Sequence, residues 1–131
     1  MKRRALFLTL LALIMCFSAL AAKPSQWKLL GLRKVALNTD RDVIVVGADE
    51  GTFTKIKLTV KKSGVHFKDM KVHFSNDDVF DVKIRRLIPA GGETRVIDLP
   101  GGDRNIKKVV FWYDSTEMNK KRATVRLYGR K

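Results

Sequence analysis

The chain has 131 residues, and its 27 Lys and Arg against 13 Asp and Glu give a formal net charge of +14 at pH 7. This length is enough for one domain with one core and excludes a catalytic domain with a second lobe. The single cysteine, Cys16, excludes an intramolecular disulfide as a source of stability.

Residues 1–21 have the three parts of a secretory signal peptide. A positive start that ends at Arg4 is followed by an apolar run over residues 5–15 and by small residues at Ala19 and Ala21. We expect cleavage after Ala21, export to the periplasm or the extracellular space, and no membrane span afterwards. An uncleaved anchor is the alternative, because residues 5–22 approach the roughly 20 apolar residues that a span requires. Cleavage leaves 24 basic and 13 acidic side chains, a charge of +11.

The first strands are predicted from short runs of alternating apolar and polar residues between turns, a pattern typical of a β-sandwich or barrel. Residues 27–37 predict the first strand. Residues 43–46, with the sequence VIVV, lack a polar face and predict a central strand covered on both sides. In residues 55–61 apolar and polar side chains alternate strictly. Ile56, Leu58 and Val60 are therefore predicted to face the core, and the intervening lysines to lie on the solvent-exposed face.

A change of parity predicts a β-bulge in the next strand. Val65 and Phe67 share one parity, whereas Met70 begins the other, which places the bulge near residues 68–69. His66 and His73 then both face outward and lie roughly 20 Å apart. They are too far apart to share one metal ion, whose ligand bonds are about 2 Å long.

The Gly-Gly pairs at residues 91–92 and 101–102 predict chain reversals and not a phosphate-binding loop. Such a loop needs a following helix, whereas residues 109–113 alternate as a strand. The reversals flank a short strand at residues 94–99, and residues 80–84 and 122–128 are further strands. With about eight strands, the fold is predicted to be all-β: a single antiparallel β-sandwich, jelly-roll-like, over residues 22–131 after the signal peptide.

No arrangement of residues identifies a catalytic centre. The spacing shows no nucleophile elbow and no acid that would organise a serine and a histidine, so we expect no enzyme, no metal and no cofactor. Paired carboxylates for glycoside cleavage are unsupported without being excluded. Acidic runs at residues 40–42, 49–50 and 76–78 offer oxygen ligands for calcium. They lack a regular calcium-loop spacing, and turn formation is the interpretation that we prefer.

The candidate binding residues are aromatic and basic side chains in the last part of the chain. Arg122, Arg126 and Tyr128 share one face of the last strand, and Trp112 lies in the strand before it. If these two strands pair, they form a surface that stacks a sugar or a base. In the alternative, Trp112 fills the core or covers a sheet edge.

Six segments of the chain resemble a family of small, exported bacterial proteins of unknown function. They are LG at residues 30–31, DRDVI at 40–44, DMKVHF at 69–74, AGGETRVIDL at 90–99, GGxRxIKKV at 101–109 and ATVxLYG at 123–129, where x marks a position that does not contribute to the resemblance. The resemblance spans nearly all of residues 22–131 and implies a β-sandwich and an exported location. It implies no activity, cofactor or catalytic residue.

The charge and the predicted export favour a non-catalytic module that binds an acidic polysaccharide, another envelope polyanion or a carbohydrate, with no specific nucleic acid as partner. The alternative is a structural or protein-interaction module of the envelope whose charge is incidental, and an enzyme ranks third. The arrangement of the surface discriminates between the first two. A clustered basic patch with an exposed aromatic favours binding, whereas evenly spread charge and buried aromatics favour the structural module.

Overall fold

The computed structural model describes residues 26–35, 40–114 and 122–131. The predicted signal peptide at residues 1–21 and its cleavage site lie outside these ranges. No helix within the described ranges is long and apolar enough to cross a membrane.

Within these described ranges, ten strands form two antiparallel sheets, which confirms the predicted all-β sandwich. In chain order they are β1 (Lys28–Lys34), β2 (Arg41–Val45), β3 (Thr52–Phe53), β4 (Lys55–Lys61), β5 (Val65–Phe74), β6 (Val79–Val82), β7 (Arg86–Ile88), β8 (Ile97–Asp98), β9 (Arg104–Asp114) and β10 (Thr124–Arg130), with a 3-10 helix at Ala48–Glu50. One sheet has the order β1-β10-β4-β8. The other has the order β2-β9-β5-β6, with β3 beside β9 and β7 beside β5.

The structure has more strands than the alternation of the sequence predicts, because several are very short. β3 and β8 have two residues each and β7 has three. A run of two or three residues is too short to show a period of two. The strand predicted at residues 94–99 is accordingly reduced to β8, which pairs with Lys55 and Ile56 of β4.

β2 is an edge strand, so the prediction of a central strand at residues 43–46 is wrong. It stands at the end of its sheet and hydrogen-bonds to β9. Ile44 faces the core and is buried, whereas 72% of Val45 is exposed. β-branched residues fit an edge strand as readily as a central one, so an unbroken apolar run does not determine where a strand lies in its sheet.

The core lies between the inner faces of the two sheets and follows the predicted alternation. Ile56, Leu58 and Val60 of β4 are fully buried. Phe67 of β5 packs edge-on against Phe111 of β9, with ring centroids 5.7 Å apart. The predicted bulge is also present, because the register between β5 and β9 shifts between Phe67 and Asp69. Because of the bulge, the apolar side chains on both sides of it in β5 face the same core.

The Gly-Gly pairs are chain reversals, as predicted. Gly91, Gly101 and Gly102 have φ angles of 86°, 87° and 81°, a region that L side chains rarely adopt. The second pair leads directly into β9 and not into a helix. The first pair turns the chain beside β4, since Gly91 N donates a hydrogen bond to Val60 O and Val60 N donates one to Gly92 O.

Candidate functional site

The outer face of the four-stranded sheet collects basic and aromatic side chains from β4 and β10. Because Ile56, Leu58 and Val60 face the core, the intervening Lys57, Thr59 and Lys61 face outward. The antiparallel register then places Tyr128 beside Lys57 and Arg126 beside Thr59. Side chains opposite each other in this way lie about 5 Å apart at Cβ and form one continuous surface.

Trp27 lies at the edge of this surface, immediately before β1. Its ring is 4.5 Å from Lys57 Nζ and 4.8 Å from Arg130 Cζ, both measured to the ring centroid. These are cation–π distances, and the two cations hold the indole against the outer face of the sheet. The pairing of Lys28 with Gly129 brings the N-terminal end of β1 beside the end of β10 and sets this position.

Together these side chains line a cavity of about 440 Å³, which we call the Trp27 groove. The side chains that line it are those of Trp27, Lys57, Thr59, Lys61, Glu93 and Tyr128, and the turn at residues 91–92 forms part of its wall. Lys57 Nζ forms a salt bridge of 3.2 Å with Glu93. Thr59 Oγ1 is buried and has no hydrogen-bond partner among the described residues.

The groove combines apolar ring faces with charged and polar groups. Two half-buried aromatic side chains, Trp27 and Tyr128, offer apolar ring faces with polar edges. Lys57 and Lys61 offer ammonium donors for a carboxylate, and charge-assisted hydrogen bonds of this kind are stronger than those between neutral groups. Glu93 is the one carboxylate among the described lining residues, so the groove is positive overall.

Of the four candidate binding residues predicted from the sequence, the structure brings two together. Tyr128 lines the groove, and Arg126 is its neighbour on the outer face of β10. Arg122 lies before β10, where its Nε donates a hydrogen bond of 3.2 Å to Val35 O, and it does not line the groove.

Trp112 lies on the other side of the molecule. β9 belongs to the six-stranded sheet and β10 to the four-stranded sheet, so the shared surface expected from their pairing does not form. Trp112 alternates with the buried Phe111 and Tyr113 and is half-buried on the outer face of its own sheet. The alternative that it fills the core is therefore wrong as well, and β9 lies between β2 and β5 and not at a sheet edge.

Of the side chains that line the groove, sequence reasoning proposed only Tyr128 as a binding residue and missed Trp27, Lys57, Thr59, Lys61 and Glu93. The strict alternation of β4 placed its lysines on the outer face, but only the pairing with β10 shows which aromatic residues they meet. Glu93 reaches the groove through an isolated bridge to Thr59, which no local pattern predicts.

The histidines and carboxylates do not assemble a metal centre in the part of the chain that the structure describes. No three His, Cys, Asp or Glu side chains come close enough to hold an ion there. His66 and His73 are both half-buried and face outward from β5, on either side of the bulge. Asp42, one of the proposed calcium ligands, is buried in β2 and not in a loop.

Comparison with known proteins identifies a family and a related fold. A model described as a domain of unknown function (DUF2541) matches residues 6–129. No curated protein matches the chain. Among solved structures, the chain is similar to AlgX of Pseudomonas aeruginosa, with 17% sequence identity and a TM-score of 0.54. The match covers 77% of this chain and 26% of the AlgX chain, and at this identity it shows a shared fold alone.

Proposed function

The chain belongs to the DUF2541 family, a family of unknown function, and we propose that it is an exported, non-catalytic module that binds an acidic polysaccharide of the cell envelope. The Trp27 groove is the binding site. The N-terminal sequence supports export, because its charged start, apolar run and small residues match a secretory signal.

One observation carries the proposal: two half-buried aromatic rings and two outward-facing lysines line the same groove. A sugar ring stacks on the face of an indole or a phenol, and a carboxylate of the same sugar reaches an ammonium group at the rim. Lys61 is exposed and is the cation best placed to meet such a carboxylate. This clustering of basic and aromatic side chains supports binding over the structural alternative.

The acidic side chain of the groove supports a non-catalytic role. Glycoside hydrolysis generally uses a pair of carboxyl groups on either side of the scissile bond. Among the described residues that line the groove, Glu93 stands alone as a carboxylate and forms its salt bridge with Lys57.

The test is binding to polygalacturonate, with neutral dextran and DNA as comparisons, over a salt series. Wild type is expected to bind polygalacturonate at about 0.15 M salt, where the screening length is about 8 Å and long-range attraction is weak. Trp27→Ala is expected to weaken this binding about tenfold, because it removes the stacking surface. Lys61→Ala is expected to weaken it by a similar factor.

Lys83→Ala is the matched control, because it removes the same charge from an exposed residue outside the groove. It is expected to leave the affinity at 0.15 M salt unchanged. Equal binding to all three polymers that disappears by physiological salt would overturn the proposal and favour a structural or protein-interaction module.

A further inference from the structure

The outer face of the six-stranded sheet carries a second aromatic and basic surface, which we call the Trp112 face. Alternation along each strand turns five side chains away from the core: Arg41 of β2, Lys71 and His73 of β5, and Lys108 and Trp112 of β9. The register places Arg41 beside Trp112 and His73 beside Lys108. Side chains from three strands therefore form one surface.

The Trp112 face shares one feature with the Trp27 groove, a tryptophan in contact with two basic side chains. Arg41 Cζ is 5.7 Å from the centroid of the Trp112 ring, and Lys71 Nζ is 5.8 Å from it. Trp27 is likewise contacted by one lysine and one arginine. On each side of the sandwich, one half-buried indole is thus in cation–π contact with one lysine and one arginine.

Positive charge is concentrated where β2, β9 and β5 meet on this face. The pKa of His73 is lowered from its ordinary value, first by burial and then by the positive charges of Lys108, Lys107, Lys71 and Arg41. Among the described residues, the register also places carboxylates on this outer face: Asp69 beside Trp112, Asp81 beside Lys71 and Asp114 beside His66. Asp69 Oδ1 accepts a hydrogen bond of 2.9 Å from Met70 N. The cluster of Arg41, Lys71 and Lys108 around Trp112 and His73 therefore complements an acidic polymer.

The two surfaces lie on opposite sides of the molecule, because β9 and β10 belong to different sheets. The sheets of a sandwich pack roughly 10 Å apart, and the two outer surfaces lie farther apart still. One sugar cannot contact both. We propose that the Trp112 face is a second site for acidic polysaccharide, so that a single molecule bridges two polymer segments. This inference rests on the function proposed for the Trp27 groove.

The first experiment counts the sites by calorimetry with a short oligogalacturonate. Wild type is expected to bind two oligosaccharides per chain. Trp112→Ala and Trp27→Ala are each expected to bind one, and the double variant none. Because a tryptophan substitution can perturb folding, Lys108→Glu serves as a second variant of the Trp112 face. Its control for net charge is Lys34→Glu, because Lys34 is exposed on β1 of the other sheet and does not line the Trp27 groove.

The second experiment measures bridging directly. Polygalacturonate is immobilised, protein is added, and the capture of fluorescent polygalacturonate from solution is recorded. Wild type is expected to capture the labelled polymer. Trp112→Ala and Lys108→Glu are expected to remain on the immobilised polymer through the Trp27 groove but to lose at least nine-tenths of the capture, a tenfold change.

The outcomes separate this inference from the proposed function. One oligosaccharide per wild-type chain, or full capture by Trp112→Ala and Lys108→Glu, overturns bridging through the Trp112 face while the groove stands. Binding lost in Trp112→Ala but kept in Trp27→Ala overturns the groove as the site. No binding by wild type overturns both proposals.

A third readout reports on the Trp112 face alone. The pKa of His73, followed by NMR in Trp27→Ala, is expected to rise when oligogalacturonate binds, because its carboxylates offset the neighbouring cations. The charged groups that face His73 or its neighbours are Lys71 on β5, Lys107 and Lys108 on β9, Arg41 on β2 and Asp81 on β6. An unchanged pKa at saturation contradicts a site on this face.

Discussion

The role of Asp42 shows that distant partners determine what a single residue does. Residues 40–42 suggested a turn, but Asp42 lies in β2 and only 8% of it is exposed. Tyr113 Oη donates a hydrogen bond of 2.7 Å to Asp42 Oδ2, and Arg33 Nε donates one of 3.2 Å to Oδ1. Arg33 belongs to the four-stranded sheet and Tyr113 to the six-stranded sheet. The carboxylate therefore joins the two layers, and the turn interpretation is wrong for this residue.

Tyr113→Phe tests this buried contact. The substitution removes the hydroxyl and leaves a buried carboxylate with one donor fewer, so it is expected to lower the free energy of unfolding by about 1–3 kcal/mol. Denaturant titration measures the change. Tyr128→Phe, in the half-buried groove, is the control and is expected to change stability by no more than about 0.5 kcal/mol. If both variants lost the same free energy of unfolding, the contact between Tyr113 and Asp42 would contribute nothing to stability.

His73 predicts a dependence of stability on pH. Its pKa is lowered in the folded protein by burial and by nearby cations, above all Lys108. The unfolded chain therefore binds the proton more readily, so stability is full above the unfolded pKa of about 6.5 and is lost as pH falls through the folded pKa. His73→Gln is expected to remove this loss, and Lys108→Ala to reduce it. The loss of stability is measured by urea titrations at a series of pH values from 7.5 down to roughly 5, where carboxylates begin to be protonated. An unchanged slope in His73→Gln would assign the loss to other groups.

At the scale of the elements, local alternation predicted strands and their inner faces but not their partners. β4 shows this directly: its core residues are correct because side chains alternate on every strand. Its partner β10 begins more than 60 residues later, and pairing over such a distance depends on the packing of the whole core. For this reason Tyr128 was correctly placed outward, while its expected neighbour Trp112 lies on the other sheet. The bulge of β5 was predictable because a change of parity is visible within one strand.

The edge position of β2 makes a prediction about two adjacent residues. Ile44 is 2% exposed and faces the core, whereas Val45 is 72% exposed. Ile44→Ala is expected to lower the free energy of unfolding by about 2–5 kcal/mol, because it removes buried methyl groups and leaves a cavity. Val45→Ala is expected to change it by no more than about 0.5 kcal/mol. Comparable losses in thermal or denaturant unfolding would restore the central-strand interpretation.

At the scale of the whole molecule, net charge and local sites make different contributions to binding. The excess of 27 Lys and Arg over 13 Asp and Glu produces a positive electrostatic field that attracts any acidic polymer. This field depends on the total charge and hardly on where each lysine lies. The Trp27 groove, in contrast, depends on Lys61 standing next to two aromatic rings. The electrostatic field can therefore be predicted from composition alone, whereas the Trp27 groove can be predicted only from the pairing of β4 with β10.

Charge reversal at two lysines separates these contributions kinetically. Lys61→Glu and Lys83→Glu lower the net charge equally, so both are expected to slow association with polygalacturonate to a similar degree at low salt. Only Lys61 lies in the groove. Its reversal is therefore expected to speed dissociation about tenfold at 0.15 M salt, where Lys83→Glu dissociates like wild type, since differences between variants of one interface lie mainly in the dissociation rate. Surface plasmon resonance over a salt series measures both rates. If the two variants dissociate alike at every salt concentration, the attraction belongs to the net charge, and the groove has no part in it.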